Sequence, residues 1–199
     1  MVKDWEIWDE EEVAKIEEAW GSPIAGKGRH QRLVEKVASL ISDTSVLDVG
    51  CGLGHLYYLI RNEVQAYLGV DSSHAMIEKA RSYFGKSLFV VGDAYDLSSI
   101  PSADTVVCLD VVKHVPETWP VLKELWGKAR KQVILVTNVG LKQHSRKTPQ
   151  KGGKYLIYRV ETVKNVMSLF EKLLDIGKIE QVPFDGVKGT VIFRVHKNV

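Results

Sequence analysis

The chain has 199 residues, which suits one domain with a sizeable core and leaves little room for two. Hydrophobic residues make up 45% and charged residues 26%, as in ordinary globular proteins and unlike disordered chains. The net charge of +2 neither supports nor excludes nucleic-acid binding. No apolar run approaches the ~20 residues that span a bilayer, and no signal peptide is recognisable. We therefore expect no membrane partner.

The two cysteines, Cys51 and Cys108, show neither the spacing of a disulfide framework nor that of a zinc site. Disulfides are rare in reducing compartments, so this usage favours a cytoplasmic location. We expect no metal site.

Residues 1–41 are predicted to form an N-terminal helical segment. Apolar residues recur at roughly helical spacing at Trp5, Trp8, Ile16 and Trp20. Asp9 and Glu12 have the spacing of a capping box at a helix start. A second helix is predicted over residues 30–41, after a break at Gly21. The first helix is either packed on the domain as an ordinary amphipathic helix or a lid over a ligand cleft.

The middle of the chain alternates predicted strands and helices. Strands are predicted at residues 46–49, 65–70, 87–91, 105–109 and 131–137, and helices at residues 53–62, 74–84 and 117–127. The strands are nearly continuous runs of Val, Ile and Leu, which is typical of a parallel sheet covered on both faces. Right-handed crossovers then predict a Rossmann-like, doubly wound α/β sheet with helices on both faces.

The C-terminal part departs from this alternation. Residues 141–160 are rich in Lys and Arg, contain no acid and include Gly152 and Gly153, so a long basic loop is expected there. A helix over residues 161–174 and a closing pair of strands at 176–182 and 190–196 follow. The whole chain, 1–199, is expected to be a single domain.

A glycine-rich loop follows the first predicted strand. Gly50, Gly52 and Gly54 alternate with other residues, and a helix begins directly behind them. Such a loop brings backbone N–H groups close to a ligand, and the helix N-terminus favours an anionic group. The dinucleotide pattern Gly-x-Gly-x-x-Gly would need its third glycine at His55 or Tyr57. That pattern is therefore not present, and neither are the lysine and Ser/Thr of a nucleoside-triphosphate loop.

Carboxylates stand at the end of four consecutive predicted strands, at Asp48, Asp71, Asp93 and Asp110. In such sheets ligands bind beyond the carboxyl ends of the strands. Asp71 lies near the spacing at which an acid binds the hydroxyls of a ribose. A carboxylate beside backbone N–H groups, as at Asp93 and Ala94, can bind an adenine edge. Together these residues predict a nucleoside site.

Four segments resemble the class I S-adenosylmethionine-dependent methyltransferases, most of all the small type 11 group. They are Val46–Gly54, Leu68–Ser72, Val91–Leu97 and Val106–Val115, in the same order and spacing. The resemblance covers roughly residues 45–140. It implies a seven-stranded, mostly parallel sheet with an antiparallel last strand. It also implies S-adenosyl-L-methionine as the cofactor and S-adenosyl-L-homocysteine as the product.

The resemblance implies roles for individual residues. The loop Gly50–Gly54 would hold the methionine part, Asp71 the ribose, and Asp93 with the Ala94 backbone the adenine. The strand end at Asp110 would line the methyl-transfer site. The predicted cofactor-binding residues are Asp48, Gly50, Cys51, Gly52, Gly54, Asp71, Ser72, Met76, Asp93, Ala94 and Asp110.

Several of these residues have two interpretations. Asp48 either lies near the cofactor or orients the Gly loop through backbone N–H groups. Met76 is either a core residue or lies against the adenine. Cys51 is interpreted as a small loop residue and not as a nucleophile.

His114 and Asp110 are the candidate catalytic residues. His114 is either a general base or a structural histidine bonded to backbone, and a base is needed only for acceptors with a high pKa. Arg29 and His30 either reach the cofactor carboxylate or are simply solvated at a helix start.

The acceptor cannot be identified from the cofactor motifs. We expect a small molecule, bound between the N-terminal helices and residues 141–160. One alternative is an RNA or protein methyltransferase that uses the basic segment 141–160. Another is a non-catalytic, S-adenosylmethionine-binding subunit.

Overall fold

A computed structural model of the chain describes residues 8–150, 154–184 and 189–198. The helices are α1 (Glu10–Trp20), α2 (Gly28–Ala38), α3 (His55–Ile60), α4 (His74–Phe84), α5 (Thr118–Lys128) and α6 (Val163–Phe170). The strands are β1 (Ser45–Val49), β2 (Ala66–Asp71), β3 (Phe89–Val91), β4 (Ala103–Leu109), β5 (Ala129–Asn138), β6 (His144–Pro149), β7 (Tyr155–Val160), β8 (Ile176–Val182) and β9 (Thr190–Lys197). Trp5, Gly152 and Gly153, which entered the predictions, lie outside the described residues.

Seven strands form one sheet in the order β3-β2-β1-β4-β5-β9-β8. Strands β1 to β5 are parallel, and β9 runs antiparallel to both of its neighbours. The predicted Rossmann-like sheet and its antiparallel last strand are confirmed. The chain winds from β1 toward β3 and then returns to β4, so the strand order reverses between β1 and β4. Ligands bind at this kind of switch point.

Helices cover both faces of the sheet. One core cluster joins the sheet to α5 and α6 through Leu122, Leu125 and Phe170. The other joins it to α2, α3 and α4, with Leu33 and Ile77 fully buried. None of the helices within the described ranges is long and apolar enough to cross a membrane.

Side-chain caps fix where several helices begin. Asp9 accepts a hydrogen bond from the backbone N–H of Glu12 at 3.1 Å, as the capping-box spacing predicts. Ser73 caps α4, whose bounds match the predicted 74–84. Thr162 caps α6, so this helix begins two residues after its predicted start and ends at Phe170.

The prediction of a long loop over residues 141–160 was wrong, because β6 and β7 form a two-stranded antiparallel sheet. All six residues of β6 are exposed, so the strand lacks the apolar–polar alternation by which half-buried strands are recognised. The structure places Arg146 opposite Tyr158, with the guanidinium 5.5 Å from the ring centre. Lys147 lies 5.6 Å from the ring centre of Tyr155. These cations cover aromatic rings of the neighbouring strand.

The β6–β7 sheet is held against the segment that follows β4. The Ile157 carbonyl lies 2.8 Å from His114 Nδ1. Arg159 donates to the carbonyl of Pro116. At the end of β7, the buried carboxylate of Glu161 accepts from the Thr118 hydroxyl at 3.1 Å. Strand β7 is thereby fixed at the carboxyl edge of the main sheet.

Candidate active site

A cavity of about 170 Å³ lies at the carboxyl ends of β1, β2 and β4 and beside the residues after β3. Every predicted site residue but one lines it: Asp48, Gly50, Cys51, Gly52, Asp71, Ser72, Met76, Asp93, Ala94, Asp110 and His114. Gly54 is the exception. It begins α3 with φ +86°, and an added Cβ would lie 3.0 Å from both Phe84 and Phe89. Gly54 therefore serves backbone geometry and packing.

The Gly loop makes its turn at two glycines in the left-handed region. Gly50 has φ +79° and Gly52 has φ +52°, conformations that L side chains rarely adopt. An added Cβ at Gly50 would lie 2.0 Å from the Val111 side chain, whereas one at Gly52 would meet no atom within 4 Å. Gly50 thus allows close packing against the next strand end, and Gly52 leaves its backbone open toward the cavity.

Asp71 ties the end of β2 to the Gly loop. Its Oδ2 accepts from the Gly52 N–H at 3.0 Å, and its Oδ1 accepts from the Ser73 N–H at 2.9 Å. A carboxylate has about four lone-pair sites, so about two remain for a ligand. Burial raises the pKa of Asp71, and these backbone N–H groups oppose the rise.

Asp48 is only 3% exposed and accepts from the Tyr67 hydroxyl at 2.7 Å. Burial raises the pKa of Asp48 to about 7, and the Asp71 charge adds to the rise, while the hydrogen bond from Tyr67 opposes it. The Asp48 side chain is therefore oriented by Tyr67 on the neighbouring strand β2. One interpretation of the sequence was that it orients the Gly loop through backbone N–H groups. It still lines the cavity.

The residues expected near the adenine lie together at the ends of β2 and β3. Asp93 Oδ1 accepts from the Tyr95 N–H at 3.0 Å, and Ala94 lies between them. Met76 packs with Ile16 and also lines the cavity, and its contact with the adenine stays a prediction. Burial raises the pKa of the Cys51 thiol well above its usual value, so this residue stays protonated.

Asp110 follows β4 with φ +62°, which is uncommon for a residue other than glycine. Its Oδ2 lies 2.9 Å from Lys113 Nζ, and both side chains are only 12% exposed. Its Oδ1 is buried and has no hydrogen-bond partner among the described residues. Lys113 was not predicted to belong to the site, although its position three residues after Asp110 suits an ion pair within a helical turn.

The Nδ1 atom of His114 lies 2.8 Å from the carbonyl oxygen of Ile157. Because a carbonyl can only accept, Nδ1 carries the proton and Nε2 carries the lone pair. Burial, together with the Lys113 charge, lowers the pKa of His114 to about 4. The ring is therefore neutral at neutral pH. The Trp8 ring packs edge-on against it, with the two ring centres 5.6 Å apart.

The N-terminal segment lies over the cavity. Trp8, Ile16, Trp20 and His30 line it. The Trp8 carbonyl accepts from the Ser73 hydroxyl at 2.5 Å, which joins this segment to the start of α4. The rings of Trp20 and His30 stack with centres 4.0 Å apart and planes within 3°. Trp8 precedes α1 and Trp20 ends it, so the predicted helical spacing does not place both rings on one helix.

Comparison with known proteins identifies the family of the core. Residues 47–137 match the family model described as "Methyltransferase domain". The match covers just under half of the chain. The chain is 30% identical over 121 residues to the magnesium-protoporphyrin O-methyltransferase of Synechocystis, covering 53% of this chain and 52% of the relative. It is 26% identical over 130 residues to the ubiquinone biosynthesis O-methyltransferase of Coxiella burnetii, covering 58% and 55%. The chain thus matches about half the length of these curated relatives.

Solved structures share the fold of this methyltransferase domain. The magnesium protoporphyrin IX methyltransferase of Synechocystis with bound SAM superposes with a TM-score of 0.68 at 19% identity, covering 99% of this chain and 98% of that one. DesVI of Streptomyces venezuelae also gives a TM-score of 0.68, at 14% identity, covering 94% and 98%. At these identities the likeness establishes the class I fold, and the residue roles have to be argued from the site itself.

Proposed function

We propose that this protein is an S-adenosylmethionine-dependent methyltransferase that acts on a small-molecule acceptor. One observation carries the proposal. Asp71 is fixed by the N–H groups of Gly52 and Ser73 at the switch point of the sheet, and lone pairs remain free for a ribose diol. The bound cofactor would supply an activated methyl group on its sulfonium.

The residues around the cavity fit this cofactor. The open backbone at Gly52 would receive the methionine part, Asp71 the ribose, and Asp93 with the Ala94 N–H the adenine edge. The strand end at Asp110 would line the reacting side. These assignments combine the family resemblance with the finding that all of these residues line one cavity.

The chain's own contribution to the reaction would be positioning and proton transfer. Holding two reactants in line can lower a barrier by about 7–11 kcal/mol. The Ile157 carbonyl fixes the tautomer of His114, so that Nε2 is free to accept a proton from an acceptor hydroxyl. Asp110, paired with Lys113, would accept a hydrogen bond from the acceptor through Oδ1.

The acceptor would bind between the N-terminal segment and the β6–β7 sheet. Trp8, which precedes α1, and Tyr158, which lies on β7, both contact the His114 ring. We propose that α1 acts as a lid that excludes water when it covers the site. The relatives named above carry the names of O-methyltransferases of small molecules, which favours that acceptor class. The two cysteines are free and buried, in keeping with a cytoplasmic location.

The two alternatives have less support. A non-catalytic subunit should have a blocked methyl site, whereas here the cavity extends to Asp110 and His114. An RNA methyltransferase would use exposed cations and free aromatic rings on β6 and β7. Here Arg146 and Lys147 lie over the rings of Tyr158 and Tyr155. Binding to RNA that falls steeply with salt concentration would restore that alternative.

Calorimetry with S-adenosylhomocysteine tests the proposal. Asp71→Ala would remove the two charge-assisted hydrogen bonds that the carboxylate is proposed to accept from the ribose hydroxyls. We expect the binding of S-adenosylhomocysteine to weaken about 100-fold, or about 2.7 kcal/mol. Asp104→Asn is the matched control, since Asp104 lies near the opposite end of β4 and pairs with Arg130. Its affinity should equal that of the wild type.

Ligand substitution separates a ribose contact from a collapsed loop. We expect the wild type to bind adenosine more tightly than 2′,3′-dideoxyadenosine, and Asp71→Ala to bind both equally. No binding of S-adenosylhomocysteine by the wild type would refute the proposed function. Equal affinities of the wild type for the two nucleosides would refute the role of Asp71.

A further inference from the structure

A row of unpaired polar atoms lies at the carboxyl edge of the sheet. Among the described residues, the buried side-chain N and O atoms without a hydrogen-bond partner are Arg29 Nε, His30 Nδ1, Asp110 Oδ1 and Asn138 Oδ1. Such atoms are rare in folded proteins, because burying a polar group without a hydrogen-bond partner is unfavourable. Here they belong to the start of α2 and the ends of β4 and β5, which lie together. Their clustering points to a ligand and not to scattered defects.

The row extends away from the cofactor side. Arg29 Nη2 donates to the Thr190 hydroxyl at 2.6 Å, and Thr190 begins β9 directly opposite Asn138 on β5. The sheet order is β1-β4-β5-β9, and neighbouring strands lie about 4.8 Å apart. Arg29 is therefore anchored about 14 Å, or three strand spacings, from the strand that carries the Gly loop. Between them stands Asp110, at the proposed methyl-transfer site.

Positive charge is in excess along this row. Arg29 and Lys113 are cationic, and Asp110 is the carboxylate that Lys113 contacts at 2.9 Å. His30 adds no charge, because burial and the nearby positive groups lower its pKa to about 3. Arg29 Nε is an unsatisfied donor and Asn138 Oδ1 an unsatisfied acceptor, and both residues neighbour Thr190. A carboxylate that carries a neighbouring hydroxyl or amine would satisfy both.

We propose that Arg29, Lys113 and Asn138 form the far end of the acceptor site and bind a carboxylate-bearing small molecule. Arg29 and Lys113 donate to the carboxylate, and Asn138 accepts from the neighbouring hydroxyl or amine. The identification of this molecule as the methyl acceptor rests on the proposed function. The rings of Trp8 and His114 line the same cavity as Lys113, so aromatic acids are the suitable probes.

The test compares acids with neutral amides of the same shape. Protein saturated with S-adenosylhomocysteine is titrated calorimetrically with benzoate, 4-hydroxybenzoate and their amides. We expect at least one acid to bind ten-fold or more tightly than its amide. Arg29→Gln should abolish the preference, and Arg29→Lys, which keeps the charge, should retain part of it. Arg32→Gln, on the exposed side of α2, should leave it unchanged.

Equal binding of acid and amide by the wild type overturns the proposal. An equal loss of the preference for acid over amide in Arg32→Gln and Arg29→Gln also overturns it. The cofactor's own carboxylate is distinguished with 5′-methylthioadenosine, which lacks that group. If Arg29→Gln weakens S-adenosylhomocysteine ten-fold but not 5′-methylthioadenosine, Arg29 binds the cofactor and the proposal is overturned. Unchanged affinity for S-adenosylhomocysteine supports the proposal and shows that the variant folds.

The two proposals can fail separately. If S-adenosylhomocysteine does not bind to the wild type, the proposed function fails. The preference for acid over amide is then measured on the protein alone, where its absence overturns the carboxylate site and its presence supports it.

Discussion

Two glycines in one loop should respond very differently to the same added methyl group. In Gly50→Ala, the new Cβ would lie 2.0 Å from Val111 Cγ2, so a side chain or the backbone must move. The left-handed φ of +79° costs about 1–2 kcal/mol for alanine, and overpacking costs about 1–3 kcal/mol more. We expect a loss of about 2–5 kcal/mol in the free energy of unfolding.

Gly52→Ala is the matched control. Its φ of +52° is also left-handed, but no atom lies within 4 Å of an added Cβ. Only the backbone term of about 1–2 kcal/mol remains. Urea unfolding of the ligand-free proteins, extrapolated linearly to water, measures both losses. Working without ligand ensures that contacts to a cofactor do not contribute.

A double-mutant cycle isolates the clash. Val111→Ala removes Cγ2 and leaves its Cβ about 3.3 Å from the new methyl group, which is tight but tolerable. We expect the double variant Gly50→Ala/Val111→Ala to be more stable than the two single losses predict, by at least about 1 kcal/mol. Equal losses for the two glycines, or strict additivity in the cycle, would refute the role of Val111 packing at this turn.

Three further variants test the buried titratable residues. The pKa of Asp48 rises from 3.8 to about 7 on folding, so between pH 3.8 and about pH 7 the folded protein keeps the Asp48 proton that the unfolded chain has lost. The free energy of unfolding therefore falls as pH rises through this range, by about 4 kcal/mol at 1.36 kcal/mol per pH unit. Asp48→Asn should therefore be more stable than the wild type at pH 8 and lose that advantage near pH 4 in urea unfolding. His114→Asn should lower kcat for a hydroxyl acceptor by about 100-fold or more. The wild-type rate should fall only as pH approaches 4, and a fall in rate that begins near pH 6.5 would contradict the lowered pKa of His114. Glu161→Gln leaves the partly buried Arg159 without its carboxylate partner, and we expect the free energy of unfolding to fall by about 3 kcal/mol. A loss below about 1 kcal/mol would show that the ion pair behaves like an exposed one.

The Gly loop and Asp71, where we propose that the cofactor binds, could be predicted to lie together because their determinants are local. A Gly loop follows one strand and Asp71 ends the next, and parallel pairing of β1 with β2 brings them together. The resulting hydrogen bond joins Gly52 and Asp71, only 19 residues apart. Helix α4 could be predicted for the same reason, since Ser73 caps it from the adjacent position.

The proposed acceptor side could not be predicted, because its contacts join distant parts of the chain. Arg29 meets Thr190 across 161 residues, and His114 meets Ile157 across 43. Strand β6 has no apolar face, so only its pairing with β7 makes it a strand. None of these contacts leaves a periodic pattern or a short motif in the sequence.

This division has a physical consequence for how acceptor choice can change. The proposed ribose contact depends on backbone N–H groups and a carboxylate within one βαβ unit, whose geometry the core fixes. The proposed acceptor contacts come from Trp8 before α1, from α2 and β7, and from the ends of β4 and β5, each supplying one or two side chains. Substitutions such as those at Arg29 or Tyr158 can therefore alter the acceptor that fits while the Asp71 network stays intact. Acceptor preference should then vary among proteins of this fold far more readily than cofactor binding does.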